Sequence, residues 1–306
     1  MPIVIKPLLP EQGEEALLFL QPYESECVNL ASEILRGGTD CWALYYADQE
    51  ASQTKTLAGL FALRKKRSLF LCLPFAKYKS AFDKKVCSEA QRPLMEFFES
   101  NEPFCVNGEA AGAIFLRNIL KNKKSPMRPS VTNKYFLMAL EGEGTQDQNA
   151  VAKNQEAFNA QNSGGGLRVV QATAAEYERL LPLELGYQRE EVVPDSFDIS
   201  DAALAAAFKR ELEDGLTFAL YDGDRPIAKA RVSACGLRHC MLGGVYTIPS
   251  ERKKGRASFL VRQIIARQSL AFNGFCLYAK QENAAALALY KSLGFVPRGE
   301  YLLVYY

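Results

Sequence analysis

Basic side chains cluster around one glycine between a predicted strand and a predicted helix. The run Glu251-Arg252-Lys253-Lys254-Gly255-Arg256 follows Val245-Tyr246-Thr247, a β-branched and aromatic strand segment that Pro249 ends. It precedes a pattern typical of an amphipathic helix, with apolar residues at positions 260, 261, 264, 265, 271 and 272. Free backbone N–H groups, the helix dipole and a residue without a Cβ would meet there. This combination favours the binding of a pyrophosphate or another polyanion.

The loop lacks the two commonest phosphate-binding fingerprints. Neither Gly-x-x-x-x-Gly-Lys-[Ser/Thr] nor Gly-x-Gly-x-x-Gly occurs in it, which argues against a nucleotide-triphosphate loop and against a dinucleotide fold. After a predicted strand at 275–280 comes a second informative segment. Asn283 is suited to cap a helix, and Gly294 with Pro297 to end it. One face of that helix would carry Ala286, Leu289, Tyr290 and Leu293.

Together the two segments resemble the Gcn5-related N-acetyltransferases (GNAT). Arg252 to Ala257 fit the family's [Gln/Arg]-x-x-Gly-x-[Gly/Ala] loop, and Asn283 to Phe295 fit its Asn-x-x-Ala-x-x-Leu-Tyr-x-x-x-Gly-Phe segment. The six-residue match alone would favour a solvated basic turn, but its placement and the second segment favour the family for residues 167–306. The resemblance implies an α/β (α+β) fold. Its mixed, mostly antiparallel sheet is flanked by helices, and two central parallel strands splay apart.

The resemblance also implies acetyl-coenzyme A as co-substrate, with no metal. Backbone groups at Val245 and Thr247 would pair with the pantetheine arm, and a backbone N–H there would serve the thioester carbonyl. Tyr290 matches the phenol that protonates the departing thiolate, a role suited to a pKa of about 10. The predicted coenzyme-binding residues are Val245, Tyr246, Thr247, Arg252, Lys253, Lys254, Gly255, Arg256, Ala257, Ser258, Asn283 and Ala286.

Acetyl transfer to an amine also requires a proton acceptor. Glu190 and Glu191 lie in the segment that lines the acceptor side in this family, so each is a candidate base or an attractor for an amine; the alternative is a solvent-facing position. Lys229 and Arg231 alternate with apolar neighbours in a predicted strand. The sequence leaves open whether they face the cleft or the solvent.

The chain of 306 residues favours two domains. Residues 167–306 predict the order β-α-α-β-β-β-α-β-α-β, with the helix after Thr173 ending at Leu181. Residues 1–140 echo this order without either motif, so they predict a degenerate GNAT-like domain. Within it a helix is predicted at 90–98 and a turn at 107–110. Residues 141–166, rich in Gly, Gln, Asn and Ala, are expected to be a linker with Val151 and Phe158 as its only candidate anchors.

Composition and charge argue against several other classes of protein. A net charge of +2 gives nucleic acid no support as the main partner, and 48% hydrophobic residues exclude a disordered chain. No apolar stretch approaches the roughly 20 residues that cross a bilayer, and the first residues do not resemble a signal peptide. The eight scattered cysteines indicate free thiols and a cytoplasmic location. Cys235, His239 and Cys240 lack a second pair of ligands, so we expect no metal.

The function predicted from these features is acetyl-coenzyme A-dependent N-acetylation of a small-molecule or amino-terminal amine by direct attack on the thioester. A non-catalytic acyl-coenzyme A sensor or scaffold is the alternative. The presence of both Asn283 and Tyr290 favours the enzyme. The first half is expected to shape the acceptor cleft or to support a homodimer, and the acceptor itself is not readable from the sequence.

Overall fold

The computed structural model describes residues 3–47, 55–65, 67–142, 166–193 and 198–306. In the first half the elements are β1 (Ile3–Pro7), α1 (Gly13–Leu20), α2 (Glu24–Leu35), β2 (Cys41–Ala47), β3 (Lys55–Arg64), β4 (Ser68–Cys72), α3 (Ala81–Ser100), β5 (Cys105–Glu109), α4 (Ala110–Asn122) and β6 (Val131–Glu141). Most of the predicted linker, with Val151 and Phe158, lies outside the described residues.

The second half follows the predicted order. Its elements are β7 (Leu167–Gln171), α5 (Tyr177–Tyr187) with a π-helical turn at Gln188–Val192, α6 (Asp201–Glu213), β8 (Thr217–Asp222), β9 (Arg225–Cys235), β10 (His239–Thr247), α7 (Arg256–Gln268), β11 (Gly274–Lys280), α8 (Ala284–Ser292) and β12 (Val296–Tyr305). Local signals set several starts. The Asn283 side chain accepts a hydrogen bond from the Ala286 N–H and thereby caps α8.

Four boundaries differ from the sequence expectation. Helix α5 continues through Pro182, because burial of Leu180 and Leu183 offsets the lost hydrogen bond. Helix α7 ends at Gln268, short of positions 271 and 272. Helix α3 begins nine residues earlier than predicted, where Ser80 and Asp83 form a capping box. The predicted turn at 107–110 is instead the end of β5, where pairing with β12 keeps the chain extended.

The twelve strands that the structure describes form one mixed, mostly antiparallel sheet, which confirms the predicted fold class. Its order is β1-β2-β3-β4-β5-β12-β6-β11-β10-β9-β8-β7. Among these described strands, only two neighbouring pairs run parallel, namely β4 with β5 and β10 with β11. Each parallel pair is in register over only three residues before the strands separate. The two halves therefore repeat one arrangement of five strands, with a splayed parallel pair at its inner edge.

The halves exchange their last strands. Strand β6 of the first half pairs with β11, and β12 of the second half lies between β5 and β6. The sheet is thus continuous across the predicted boundary between residues 140 and 167. One apolar cluster surrounds Phe61 and Phe98 in the first half, and another surrounds Leu260 and Phe275 in the second. A further buried cluster, which includes Val28 and Met241, contains residues of both halves.

A cluster of three titratable side chains, Glu24, His239 and Glu141, also joins the halves. Glu24 at the start of α2 accepts hydrogen bonds from the N–H groups of Leu237 and Arg238, and its Oε2 lies 3.2 Å from His239 Nδ1. On the other side of the ring, His239 Nε2 lies 3.2 Å from Glu141 Oε2 at the end of β6.

Over the described ranges, no helix is both long and apolar enough to cross a membrane.

Candidate active site

The gap between β10 and β11 forms the centre of the site. These strands pair from His239 to Met241 and from Gly274 to Cys276, and β10 then continues to Thr247 without β11 beside it. The edge of β10 that pairs with β9 is also irregular. The register with β9 passes from Gly243 opposite Arg231 to Tyr246 opposite Lys229, so β10 carries one extra residue there. Backbone groups between Gly243 and Thr247 are therefore available to a ligand.

The loop after β10 leads into α7 at an uncapped helix start. Gly255 occupies the N-cap with φ of 73°, a left-handed conformation that favours glycine, and no side chain caps the first N–H groups. The first turn carries no acidic residue. Unpaired N–H groups at the positive end of a helix dipole form an anion-binding site.

A buried carboxylate organises the basic side chains of this loop. Glu251 is 6% exposed, and its oxygens lie 3.1 Å from nitrogens of Arg225, Lys254 and Arg256. The hydrogen bond from Lys254, together with that from Arg256, lowers the pKa of Glu251. Lys254 is thereby directed away from the ligand space, while Arg252, Lys253 and Arg256 border it. This pairing was not predictable from the sequence, in which Glu251 is one more residue of a charged turn.

Arg252 fastens the loop to the segment after α5. Its Nη2 lies 2.7 Å from Glu190 Oε2, and its Nε donates to the Thr247 carbonyl oxygen at 3.0 Å. Glu190 also accepts a 3.0 Å hydrogen bond from the Tyr246 hydroxyl. Because Glu190 is engaged by both groups, its carboxylate acts as a structural clamp on the coenzyme side.

Glu191 occupies a different position from its neighbour. Its Oε1 accepts a 3.0 Å hydrogen bond from Asn283 Nδ2, and its Oε2 lies 3.8 Å from Lys280 Nζ. Asn283 uses its side-chain oxygen to cap α8 at the same time. One asparagine therefore fixes the start of α8 and orients the carboxylate.

Tyr290 lies in the second turn of α8 and is 7% exposed. Burial raises its pKa above the usual value of 10, and the nearby charge of Glu191 adds to the shift. No hydrogen bond to its hydroxyl occurs among the described residues, whereas its ring packs against Phe295 with 5.9 Å between centroids. The phenol is thus protonated at neutral pH and free to donate.

Two cavities meet at these side chains. One, of about 540 Å³, is bordered by the α7 loop and by all the predicted coenzyme-binding residues except Lys254. The other, of about 340 Å³, is bordered by residues of β9, β10 and β11. The residues that border both are Glu191, Val245, Asn283, Ala286 and Tyr290. A ligand in one cavity would therefore meet a ligand in the other beside Tyr290.

The smaller cavity contains residues that the sequence did not single out. Tyr135 of β6 forms part of its wall, so the first half contributes to it. It also contains two ion pairs, Glu184 with Lys229 and Glu211 with Arg231. The alternation of Lys229 and Arg231 along β9 was the available signal, and both side chains do face this cavity. Among the residues that the structure describes, no cluster of three or more His, Cys, Asp or Glu could hold a metal.

Residues 178–295 match the model of the acetyltransferase (GNAT) family. This chain contains a GNAT acetyltransferase domain. The GNAT match spans both motifs of the site and places this domain among the acyltransferases. Among curated proteins, no relative matches the chain.

Solved structures resemble this chain over different lengths. A Drosophila protein superposes with a TM-score of 0.60 at 12% identity, covering 99% of this chain and 98% of its own. A GCN5-related N-acetyltransferase from Sphaerobacter thermophilus superposes with a TM-score of 0.50 at 11% identity, covering 99% of this chain and 94% of its own. A GNAT acetyltransferase from Novosphingobium aromaticivorans gives 0.39 at 19% identity and covers 58% of this chain but only 65% of that protein. The first two show that the two-half arrangement is shared.

Proposed function

We propose that the protein transfers an acetyl group from acetyl-coenzyme A to an amine by direct attack on the thioester. The supporting observation is the meeting of two cavities at Glu191, Val245 and Tyr290. One cavity suits the donor and the other an acceptor. Both volumes fall within the range of about 300–1,000 Å³ typical of ligand pockets.

The donor side fits the coenzyme in three respects. The uncapped start of α7, with Arg252 and Lys253 beside it, would hold a pyrophosphate. The unpaired edge of β10 from Val245 to Thr247 would bind the pantetheine arm as a neighbouring strand would. Asn283 and Ala286 close the far side of the same cavity. When bound there, the coenzyme supplies an activated acetyl group.

The chain's own groups then supply proton transfer and charge stabilisation. Glu191 accepts the proton from the amine, directly or through one water, as the nitrogen bonds to the thioester carbon. A backbone N–H of β10 stabilises the negative charge that develops on the carbonyl oxygen. As the carbon–sulfur bond breaks, Tyr290 donates its proton to the thiolate. Glu191 is preferred over Glu190 for the base, because Glu190 is already engaged by Arg252 and Tyr246.

The first half is proposed to bind no coenzyme. The space corresponding to the donor cavity, between β4 and β5, measures only about 10 Å³. Leu71 fills it, since a Cβ at Gly108 or Gly112 would lie within 2.7 Å of that side chain. The start of α3 is also less suited to bind an anion, because the Ser80 hydroxyl already accepts a hydrogen bond from the Asp83 N–H. This half instead contributes Tyr135 to the acceptor cavity.

Calorimetric titration with acetyl-coenzyme A, followed by a thiol-release screen over amines, tests the proposal. Binding with thiol release for one amine class would support it and would name the acceptor type. Binding without release across a broad panel would favour the sensor instead. Absence of binding would reject both.

A further inference from the structure

Lys229 is a buried lysine of β9 that borders the smaller of the two cavities. Its side chain is 2% exposed, and its Nζ lies 2.6 Å from Oε2 of Glu184, which is 4% exposed. The ring of Tyr187 lies 4.3 Å from the same nitrogen. Burial lowers the pKa of Lys229, and the Glu184 carboxylate opposes that change. Since a buried ion pair seldom stabilises a fold more than apolar residues would, this pair calls for a functional explanation.

A third contact connects the ammonium group to the backbone of β10. Lys229 Nζ donates a 3.1 Å hydrogen bond to the carbonyl oxygen of Gly244. Gly244 lies at the extra residue of β10 and has a φ of 60°. A Cβ there would lie 3.3 Å from the Lys229 nitrogen. Glycine therefore permits both the backbone conformation and the close approach of the lysine.

The direction of this one carbonyl determines the direction of the next N–H. In a trans peptide the Gly244 carbonyl and the Val245 N–H point opposite ways, and the described residues include no cis bond. Lys229 holds the carbonyl on its own side of this peptide. The Val245 N–H lies on the other side of the same peptide, and Val245 borders both cavities.

We propose that Lys229, held by Glu184, is a positioning residue that fixes the Val245 N–H as the hydrogen-bond donor to the thioester carbonyl. This inference rests on the proposed acetyl transfer. An oxyanion donor is effective when it is already oriented before charge develops, because no reorganisation is then needed during reaction. A bulge with one extra residue and a glycine has several accessible conformations. The ammonium group selects the one that aims this N–H at the donor gap.

The experiment measures the hydrogen bond itself and needs no acceptor. Acetyl-coenzyme A labelled with carbon-13 at the carbonyl is bound to the full-length protein, and isotope-edited infrared spectroscopy reads the carbonyl stretch. A hydrogen bond to the oxygen lowers this frequency. Lys229→Met should raise the frequency relative to the wild-type complex. It should also reduce the preference for acetyl-coenzyme A over free coenzyme A about fivefold, the effect of one neutral hydrogen bond.

Two further variants separate positioning from general destabilisation. Lys229→Met/Glu184→Gln removes both charges, so that no unpaired carboxylate remains buried, and should show the same shift in frequency. Lys123→Met is the matched control. Lys123 is also a buried lysine paired with a glutamate, its Nζ lying 2.5 Å from Glu102 Oε1, but it belongs to the first half. The control should leave the frequency unchanged at a comparable loss of thermal stability.

An unchanged frequency in a folded Lys229→Met/Glu184→Gln protein would overturn the positioning role. Equal shifts in this variant and in the Lys123→Met control would also overturn it. Failure of the wild-type protein to bind acetyl-coenzyme A would instead reject the proposed function, and the two failures are therefore distinct.

Discussion

Asn283 donates a 3.0 Å hydrogen bond from its side-chain amide to the carboxylate of Glu191, while its own oxygen caps helix α8. The same side chain thereby links the first turn of the helix that carries Tyr290 to the proposed base. The proton donor and the proton acceptor are held in a fixed relation without contacting each other directly.

Glu191→Gln should lower turnover about 100-fold or more, the typical contribution of a general base, with little change in affinity for acetyl-coenzyme A. The amide keeps the shape of the side chain but does not accept the proton. Steady-state kinetics together with calorimetry would measure both effects. Glu190→Gln is the matched control, and it should weaken coenzyme binding through Arg252 while sparing turnover at saturation. Identical kinetic profiles for the two variants would contradict the assignment of the base.

Tyr290→Phe should reduce turnover by about 100-fold and leave coenzyme binding nearly intact. The phenyl ring retains the contact with Phe295, whereas the proton for the departing thiolate is lost. The deficit should shrink with a thioester whose thiol is a stronger acid, since that leaving group needs no proton. A deficit of the same size with both thioesters would show that Tyr290 acts in another way.

Gly255→Asp should abolish coenzyme binding, because it places a negative charge at the uncapped start of α7. Gly255→Asn is nearly isosteric, and asparagine tolerates the left-handed conformation that the φ of 73° requires. The difference in affinity between the two variants, measured by calorimetry, therefore isolates the charge. Equal affinities would mean that no anion binds at this helix start.

The cluster of Glu24, His239 and Glu141 should make stability depend on pH. Burial disfavours the charged imidazole, but the hydrogen bond and charge of Glu24 and the charge of Glu141 prevail, and the pKa of His239 is raised above 6.5. Burial likewise opposes the charged form of Glu24, yet its hydrogen bonds with His239 and Arg238 lower its pKa below 4.5. The contribution of this cluster to stability is thus fully present between pH 4.5 and pH 6.5. It is lost as the pH rises through the folded pKa of His239 or falls through that of Glu24.

Urea unfolding of the wild type and of His239→Gln at pH 6 and pH 9 would measure this effect. The free energy of unfolding should be higher for the wild type than for the variant, and this difference should be about 1–2 kcal/mol larger at pH 6 than at pH 9. A hydrogen bond to a charged group contributes on this scale. His239 is the only histidine of the chain, so no other imidazole contributes to the difference. A gap that is independent of pH would show that the ring is neutral in the folded protein.

Residues 167–306 alone should not form a stable coenzyme-binding unit, although the sequence favours that division. This fragment lacks β6, which pairs with β11 along seven residues and with most of β12. Its circular dichroism and urea unfolding should show partial, non-cooperative structure. A fragment of residues 131–306, which restores β6, should recover part of the cooperativity. Cooperative unfolding of the shorter fragment would mean that β11 and β12 can pair without β6.

The sequence predicted those parts of the site that are contiguous in the chain. The loop from Arg252 to Ala257 and the helix after Asn283 have local signals, because capping, turn chemistry and helical spacing act over a few residues. Strand exchange has no such signal, since Tyr135 pairs with Tyr301 across 166 positions, and hydrophobic alternation does not name a partner. The roles of Glu251 and Lys229 were hidden for the same reason. A charged residue in a turn or strand looks exposed until its partner is known.

The position of β12 between β5 and β6 bears on how the chain is made. During synthesis from the amino terminus, β5 and β6 emerge long before Val296–Tyr305, so the first half waits with two strand edges unpaired. Such edges readily join other strands, including those of a second nascent chain. After β6 is complete at Glu141, the ribosome must add residues 142–295 before it begins β12, the strand that fills the gap. A premature stop ahead of Val296 therefore leaves the sheet of the first half incomplete as well as that of the second.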